Sequence, residues 1–142
     1  GPAYRGDSKM VELSEDFKLQ YEALDSDHQK LVEMVNEISG MLDEGCAEDC
    51  KAKVVEFINF TKAHFAREEQ LLTKSGYPNV ENHSRHHKAL DKKMDHLLEF
   101  ASMVTVNELA CDSLKKELVF FVMDDVISSD LDFKSFLENI PS

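Results

Sequence analysis

Histidine and carboxylate side chains at helical spacing are the residues of this chain with the most chemistry to offer. His64 and Glu68 stand four apart, as do His83 and His87. On an α-helix of 3.6 residues per turn, side chains at that spacing lie about 40° apart and point the same way. His28 precedes Leu31 and Val32 within one turn, and Asp125 and Asp130 follow Leu118, Phe121 and Val122. His28, His64, Glu68, His83 and His87 fall on stripes that a helical protein buries, and the two aspartates follow such a stripe. Burying one unpaired charge costs several kcal/mol, and a domain's whole margin is about 5–15 kcal/mol, so a group of this size must be neutralised. A pair of metal ions would do so, with imidazoles as terminal ligands and carboxylates as bridges. Ligands projecting inward from the helices of a bundle are how such di-metal sites are built.

Taken singly these residues say little, because a lone His on a helix face is usually a satisfied core residue and HxxxE or HxxxH arises by chance. The weight lies in their joint occurrence at stripe positions on several helices. His86 is rotated about 100° from His87, and His96 falls between Met94 and Leu97. Both are expected to be solvated. Cys46, Cys50 and Cys111 form no CxxC pattern and have no His near them in sequence, so they receive no metal role. Three thiols cannot all pair within one chain, which fits a reduced, cytoplasmic setting.

The elements that must position these groups are helices. Ser26 and Gln29 form a capping-box pair, and Leu31, Met34, Val35, Ile38, Met41 and Leu42 recur at helical spacing until Gly45. A second helix begins near Cys50, carries Val54, Phe57, Ile58, Thr61 and Phe65, and stops before Ser75-Gly76-Tyr77-Pro78. A third runs over about 80–104, with Leu90, Met94, Leu97, Leu98 and Ala101 on one face. Thr105 and Glu108 form another capping box, opening a fourth helix that reaches about Ser129. Phe133, Phe136, Leu137 and Ile140 predict a short closing helix. Phe17, Leu19, Tyr21 and Leu24 predict an ordered arm laid across the bundle. The expected fold is all-α, an up-down-up-down four-helix bundle with an N-terminal extension and a short C-terminal helix. The whole of 1–142 is read as one domain, with 1–16 as cleavage scar and extension.

Charge excludes several partners. The chain has 28 acidic against 16 basic side chains, a formal net of -12, which repels phosphate backbones and anionic lipid surfaces. No nucleic-acid partner is expected. No apolar run approaches the roughly 20 residues that span a bilayer, so no membrane association by the chain itself is expected. The opening Gly1-Pro2 is read as the trace of a protease cut, with a longer natural polypeptide as the expectation.

The combined motifs resemble those of bacterial hemerythrins. Leu24-Asp25-Ser26-Asp27-His28-Gln29-Lys30-Leu31 is similar to that family's first-helix motif, and Phe60-Thr61-Lys62-Ala63-His64-Phe65-Ala66-Arg67-Glu68-Glu69 to its HFxxEE motif. Gly76-Tyr77-Pro78, followed by His83 and His87, resembles its GYP loop and HxxxH, and the match covers roughly residues 17–138. The resemblance implies two iron ions in an oxo- or hydroxo-bridged centre. His28 and His64 would hold the iron with an open position for O2, His83 and His87 the second iron, and Glu68 and Asp130 would bridge. The implied ligand is O2, with NO or peroxide as relatives of it.

One departure from the family pattern is plain. Its fourth helix reads HxxxxD, whereas Asp125-Val126-Ile127-Ser128-Ser129-Asp130 has aspartate in the His place. Five residues is about 140° on an ideal helix, so the two aspartates converge only if this turn is distorted. Asp125 is expected to reach the second iron directly or through water, or to leave it five-coordinate, and Asp124 competes if the register slips by one. An added negative ligand favours the ferric state, which points to O2 or redox sensing, with a fused signalling output domain, rather than carriage. The rivals are a di-iron oxidase or peroxidase-type enzyme, an O2 carrier or store, a zinc or manganese site, and a metal-free interaction module.

Overall fold

A computed structural model of the chain describes residues 11–45 and 47–140. Gly1-Pro2, most of the extension and Cys46 lie outside the described residues. The elements are α1 (Glu22–Asp43), α2 (Cys50–Ser75), α3 (Val80–Ala89), α4 (Asp91–Met103) and α5 (Glu108–Phe120). A π-helical segment, Phe121–Ile127, then leads into α6 (Ser128–Asp130), a 3-10 turn and α7 (Lys134–Glu138). No strand occurs among the described residues, and none of their helices is long and apolar enough to cross a membrane.

The fold is an all-α four-helix bundle. Its four members are α1, α2, the α3 and α4 pair, and α5 with its π extension, each packed against the next, with α5 returning to α1. Two apolar layers fill it. The larger contains Leu31, Val35, Val54, Phe57, Met94, Leu114, Leu118 and Phe121, and the rings of Phe57 and Phe121 meet edge to face at 6.0 Å. The smaller, Leu19, Leu24, Leu72, Phe133 and Leu137, closes one end. The expected arm and closing helix therefore belong to one cap, where Tyr77 also packs on Phe133 and Phe136.

Several helix boundaries differ from those the sequence predicts. α1 opens at Glu22, one turn before Ser26, behind an extended Tyr21 without a side-chain cap. The carboxylate of Asp25 instead reaches back to accept the Leu19 and Gln20 N–H groups at 2.8 and 3.0 Å. This holds Gln20 in the left-handed region at φ 61°. At α5 the cap is Asn107 and not Thr105: its Oδ1 accepts the Leu109 N–H at 2.9 Å. α2 ends as predicted, with Gly76 at φ 79° and the Tyr77 N–H donating to Leu72 O at 2.9 Å, a Schellman arrangement.

The predicted third helix is two. It breaks at Leu90 (φ -79°, ψ -7°), whose N–H donates to His87 O three residues back. No Gly or Pro marks the place. Leu90 is buried, and Asp91 puts a negative charge on the first turn of α4, where the helix dipole welcomes it.

Phe57 is fully buried in the larger layer against the Phe121 ring, so Phe57→Ala leaves a cavity there. We expect a loss of about 3–5 kcal/mol in denaturant unfolding. A loss under about 1 kcal/mol would show that the bundle repacks there.

Candidate metal centre

Between the two apolar layers lies a polar one. On α1, His28 sits between Leu24 of the small layer and Leu31 of the large one; on α2, Glu68 sits between Leu72 and Phe65. Asp130 likewise separates Ile127 from Phe133, and His83 and His87 occupy the turns before Leu90. His28, His64, Glu68, His83, His87 and Asp130 are all buried.

The imidazoles surround the two carboxylates. Asp130 Oδ2 lies 2.8 Å from His28 Nε2 and 3.4 Å from His64 Nε2, and its Oδ1 lies 3.0 Å from His83 Nε2. Glu68 Oε1 lies 2.6 Å from His83 Nε2 and 3.1 Å from His87 Nε2. Two groups result, each able to offer four donor atoms within 4.8 Å of one another: His28, His64, Glu68 and Asp130, and Glu68, His83, His87 and Asp130. Both carboxylates are common to the two groups.

Three buried atoms in this layer have no hydrogen bond: Glu68 Oε2, Asp130 Oδ1 and His28 Nδ1. The two carboxylate oxygens lie 3.1 Å from His64 Nε2 and 3.0 Å from His83 Nε2, near enough for attraction but not aligned as hydrogen bonds. Such orphans are costly in a dry layer. Lone pairs that converge between imidazole Nε2 atoms suit cations seated between them, and the donor set of nitrogen and carboxylate oxygen suits iron.

Charged neighbours hold the rings in place. His64 Nδ1–H donates to Asp27 Oδ2 at 2.9 Å, and Arg67 grips both oxygens of Asp27 at 3.0 Å while lying over the Phe60 ring. His87 Nδ1–H donates to Glu69 Oε2 at 2.6 Å, and its ring stacks on Phe65 with centroids 3.8 Å apart. A proton fixed on Nδ1 leaves Nε2 free to face a metal. Sequence reasoning did not single out Asp27, Arg67 or Glu69. Their signal was position: Asp27 precedes His28, Arg67 precedes Glu68, and Glu69 is the second Glu of the HFxxEE motif.

The structure does not bring Asp125 into the layer. The π segment supplies the distortion that its spacing from Asp130 required, yet the Asp125 carboxylate turns outward to Lys93 Nζ at 2.9 Å. Its carbonyl accepts the His86 Nε2–H at 2.7 Å and the Ser129 hydroxyl at 3.0 Å. The expectation of a solvated His86 is corrected by this bond, since the ring is half-buried against the π segment. His96 is exposed. The Cys50 thiol is pushed up to about 11 by burial and by the nearby Cys111, so it stays protonated at neutral pH.

Comparison with known proteins agrees with this geometry. The family model described as the hemerythrin HHE cation binding domain matches residues 19–125. The chain belongs to the hemerythrin family. Bacteriohemerythrin of Stenotrophomonas maltophilia is 24% identical over 117 residues, which cover 82% of this chain and 74% of that protein. Bacteriohemerythrin of Pseudomonas aeruginosa is 25% identical over the same shares, and that of Clostridium acetobutylicum is 27% identical over 61% of this chain and 70% of its own. This hemerythrin domain accordingly takes a non-haem di-iron centre and binds O2.

Without cations the layer holds protons. Burial disfavours a charged His83, but Asp130 and Glu68 outweigh it and raise the ring from 6.5 to about 9. His64 is likewise raised, against burial, by Asp130, Asp27 and Glu68. Asp130 is held well below the usual range although burial alone would raise it, because Glu68 and the imidazoles of His28, His64 and His83 lie against it. The stabilisation from His83 is complete below about 6.5 and is lost as pH rises through about 9. The metal-free hemerythrin domain should therefore lose thermal stability across that window, while metal uptake, which expels these protons, should strengthen. Calorimetry of metal-free and iron-loaded protein checks both, and a flat metal-free profile would contradict the pairing.

Proposed function

We propose that His28 and His64 hold one iron and His83 and His87 the other, with Glu68 and Asp130 bridging them. The supporting observation is the division of six buried residues into two groups of four that share both carboxylates. Asp125 stays outside this assignment, paired with Lys93. Iron bound in this way supplies reversible two-electron chemistry towards O2. The chain supplies neutral imidazoles oriented by Asp27 and Glu69, carboxylates that hold two cations close, and apolar layers that keep bulk water away.

We propose further that the centre reports O2 or redox state rather than storing O2. Support comes from the ligand count: four imidazoles and two carboxylates leave more positions to solvent than a set with a further imidazole would. Solvent-derived oxygen ligands favour the ferric state, so the reduced centre should oxidise readily in air. A reporter must pass its state on, and an output domain acting with this one belongs to the proposal.

Glu68→Ala removes a carboxylate common to both groups and should leave fewer than one iron per chain, with the helical circular dichroism retained. A variant that still holds two irons overturns the ligand assignment. For the sensing role, the reduced protein is mixed with air while its absorption is followed. We expect conversion to the oxidised spectrum with no lasting oxygenated plateau. A spectrum that cycles with oxygen pressure, without loss of reducing equivalents, points to a carrier instead.

A further inference from the structure

The two metal positions have equal shares of protein donors, two imidazoles and both carboxylates each. At the place where the family motif has another imidazole, this chain has Asp125, whose carboxylate is held 2.9 Å from Lys93 Nζ. Iron sites with two His and carboxylate ligands keep positions open to exogenous ligands. By donor count, then, the His83 and His87 side has a vacancy of its own.

That side is also the one with access. His28 and His64 are 0% exposed, whereas His83 is 8% exposed. It forms part of the wall of a cavity of about 530 Å³ with Tyr77, Asn82, His86, Ser129 and Asp132. Two of its lining residues, His86 and Ser129, are tied to the π segment. The His86 Nε2–H and the Ser129 hydroxyl both bind the Asp125 carbonyl, at 2.7 and 3.0 Å, and Lys93 holds the Asp125 side chain outward. So anchored, Asp125 turns its carboxylate to Lys93, and it is not among the residues that line the cavity.

We propose that this cavity admits a small anion to a second exogenous-ligand position, on the His83 and His87 side of the centre. The proposal rests on the ligand assignment above. Two carboxylates against two ferrous or ferric ions leave a net charge of about +2 or more, which favours an anion once it is inside. The remaining wall offers hydroxyl, amide and imidazole groups, with Asp132 as its one carboxylate. The overall charge of -12 repels anions in bulk, so entry depends on this local field.

The test is a titration of oxidised, iron-loaded protein with azide, followed by absorption and calorimetry alongside an iron count. The expected result is two azides per pair of irons, one for each side. Asp125→His, which returns an imidazole to this turn, should lower the count to one. Asn82→Trp, at the exposed rim and outside the ligand set, should slow the binding of one azide and leave the other unchanged; this variant keeps the test alive if Asp125→His does not fold. A single azide per pair of irons in the unmodified protein overturns the proposal, as does an Asn82→Trp variant in which neither rate changes. Fewer than two irons per chain overturns the ligand assignment itself, and this proposal with it.

Discussion

Two carboxylates buried in the middle of a helical bundle are the constraint on which the rest of this structure depends. Glu68 and Asp130 cannot remain charged in a dry interior alone. Each therefore collects imidazoles from other helices, and His28, which lies 102 residues before Asp130, is pulled to within 2.8 Å of it. The contacts tie α1, α2, α3 and the end of the fourth helix to one point. The same oxygens could serve two cations, and without cations protons on the rings balance them. The bundle's polar layer is stable in either case only because its charges are balanced within it.

The apolar layers on both sides make that balance matter. The large core raises the strength of every charge interaction beside it by excluding water, and the small cap of Leu19, Leu24, Leu72, Phe133 and Leu137 does the same from the other end. Polar partners at the rim then orient what the layers have dried. Asp27 and Glu69 are partly exposed, yet each holds the Nδ1 proton of a buried ring. Burial works against both carboxylates, and the hydrogen bonds from His64 and His87 still lower them below the usual range. A ring fixed in this way has one tautomer and one direction, which a metal site needs before the metal arrives.

Local distortions adapt regular helices to this task. The widened turn at Phe121–Ile127 resets the register of the last helix so that Asp130 points inward among four imidazole-bearing turns. Asp125 stays outside, its carbonyl tied by His86. The break at Leu90 serves the other side of the bundle, letting α3 present His83 and His87 while α4 turns its apolar face to α5. Both distortions sit beside the site and neither contains a Gly or Pro. They are stabilised by what they contact, so no local residue signal announces them.

The sequence by itself determined the helical class, the stripes, the end of α2 at Gly76 and the placement of His28, His64, Glu68, His83 and His87 on buried faces, while the inward turn of Asp130 came from the π segment. The features legible in the sequence depend on spacing within one or two turns, where backbone geometry leaves little freedom. Only the tertiary structure decided that Asp125 turns to Lys93, that His86 binds a carbonyl of the π segment, and that Asn107 rather than Thr105 caps α5. Lys93 and Asp125 are 32 residues apart, and His86 and Asp125 are 39 apart. An aspartate on a helix edge can satisfy its charge on either side, with a metal or with a lysine. The choice is made by whichever partner the packing of another helix brings within reach, and that information is not local to the residue.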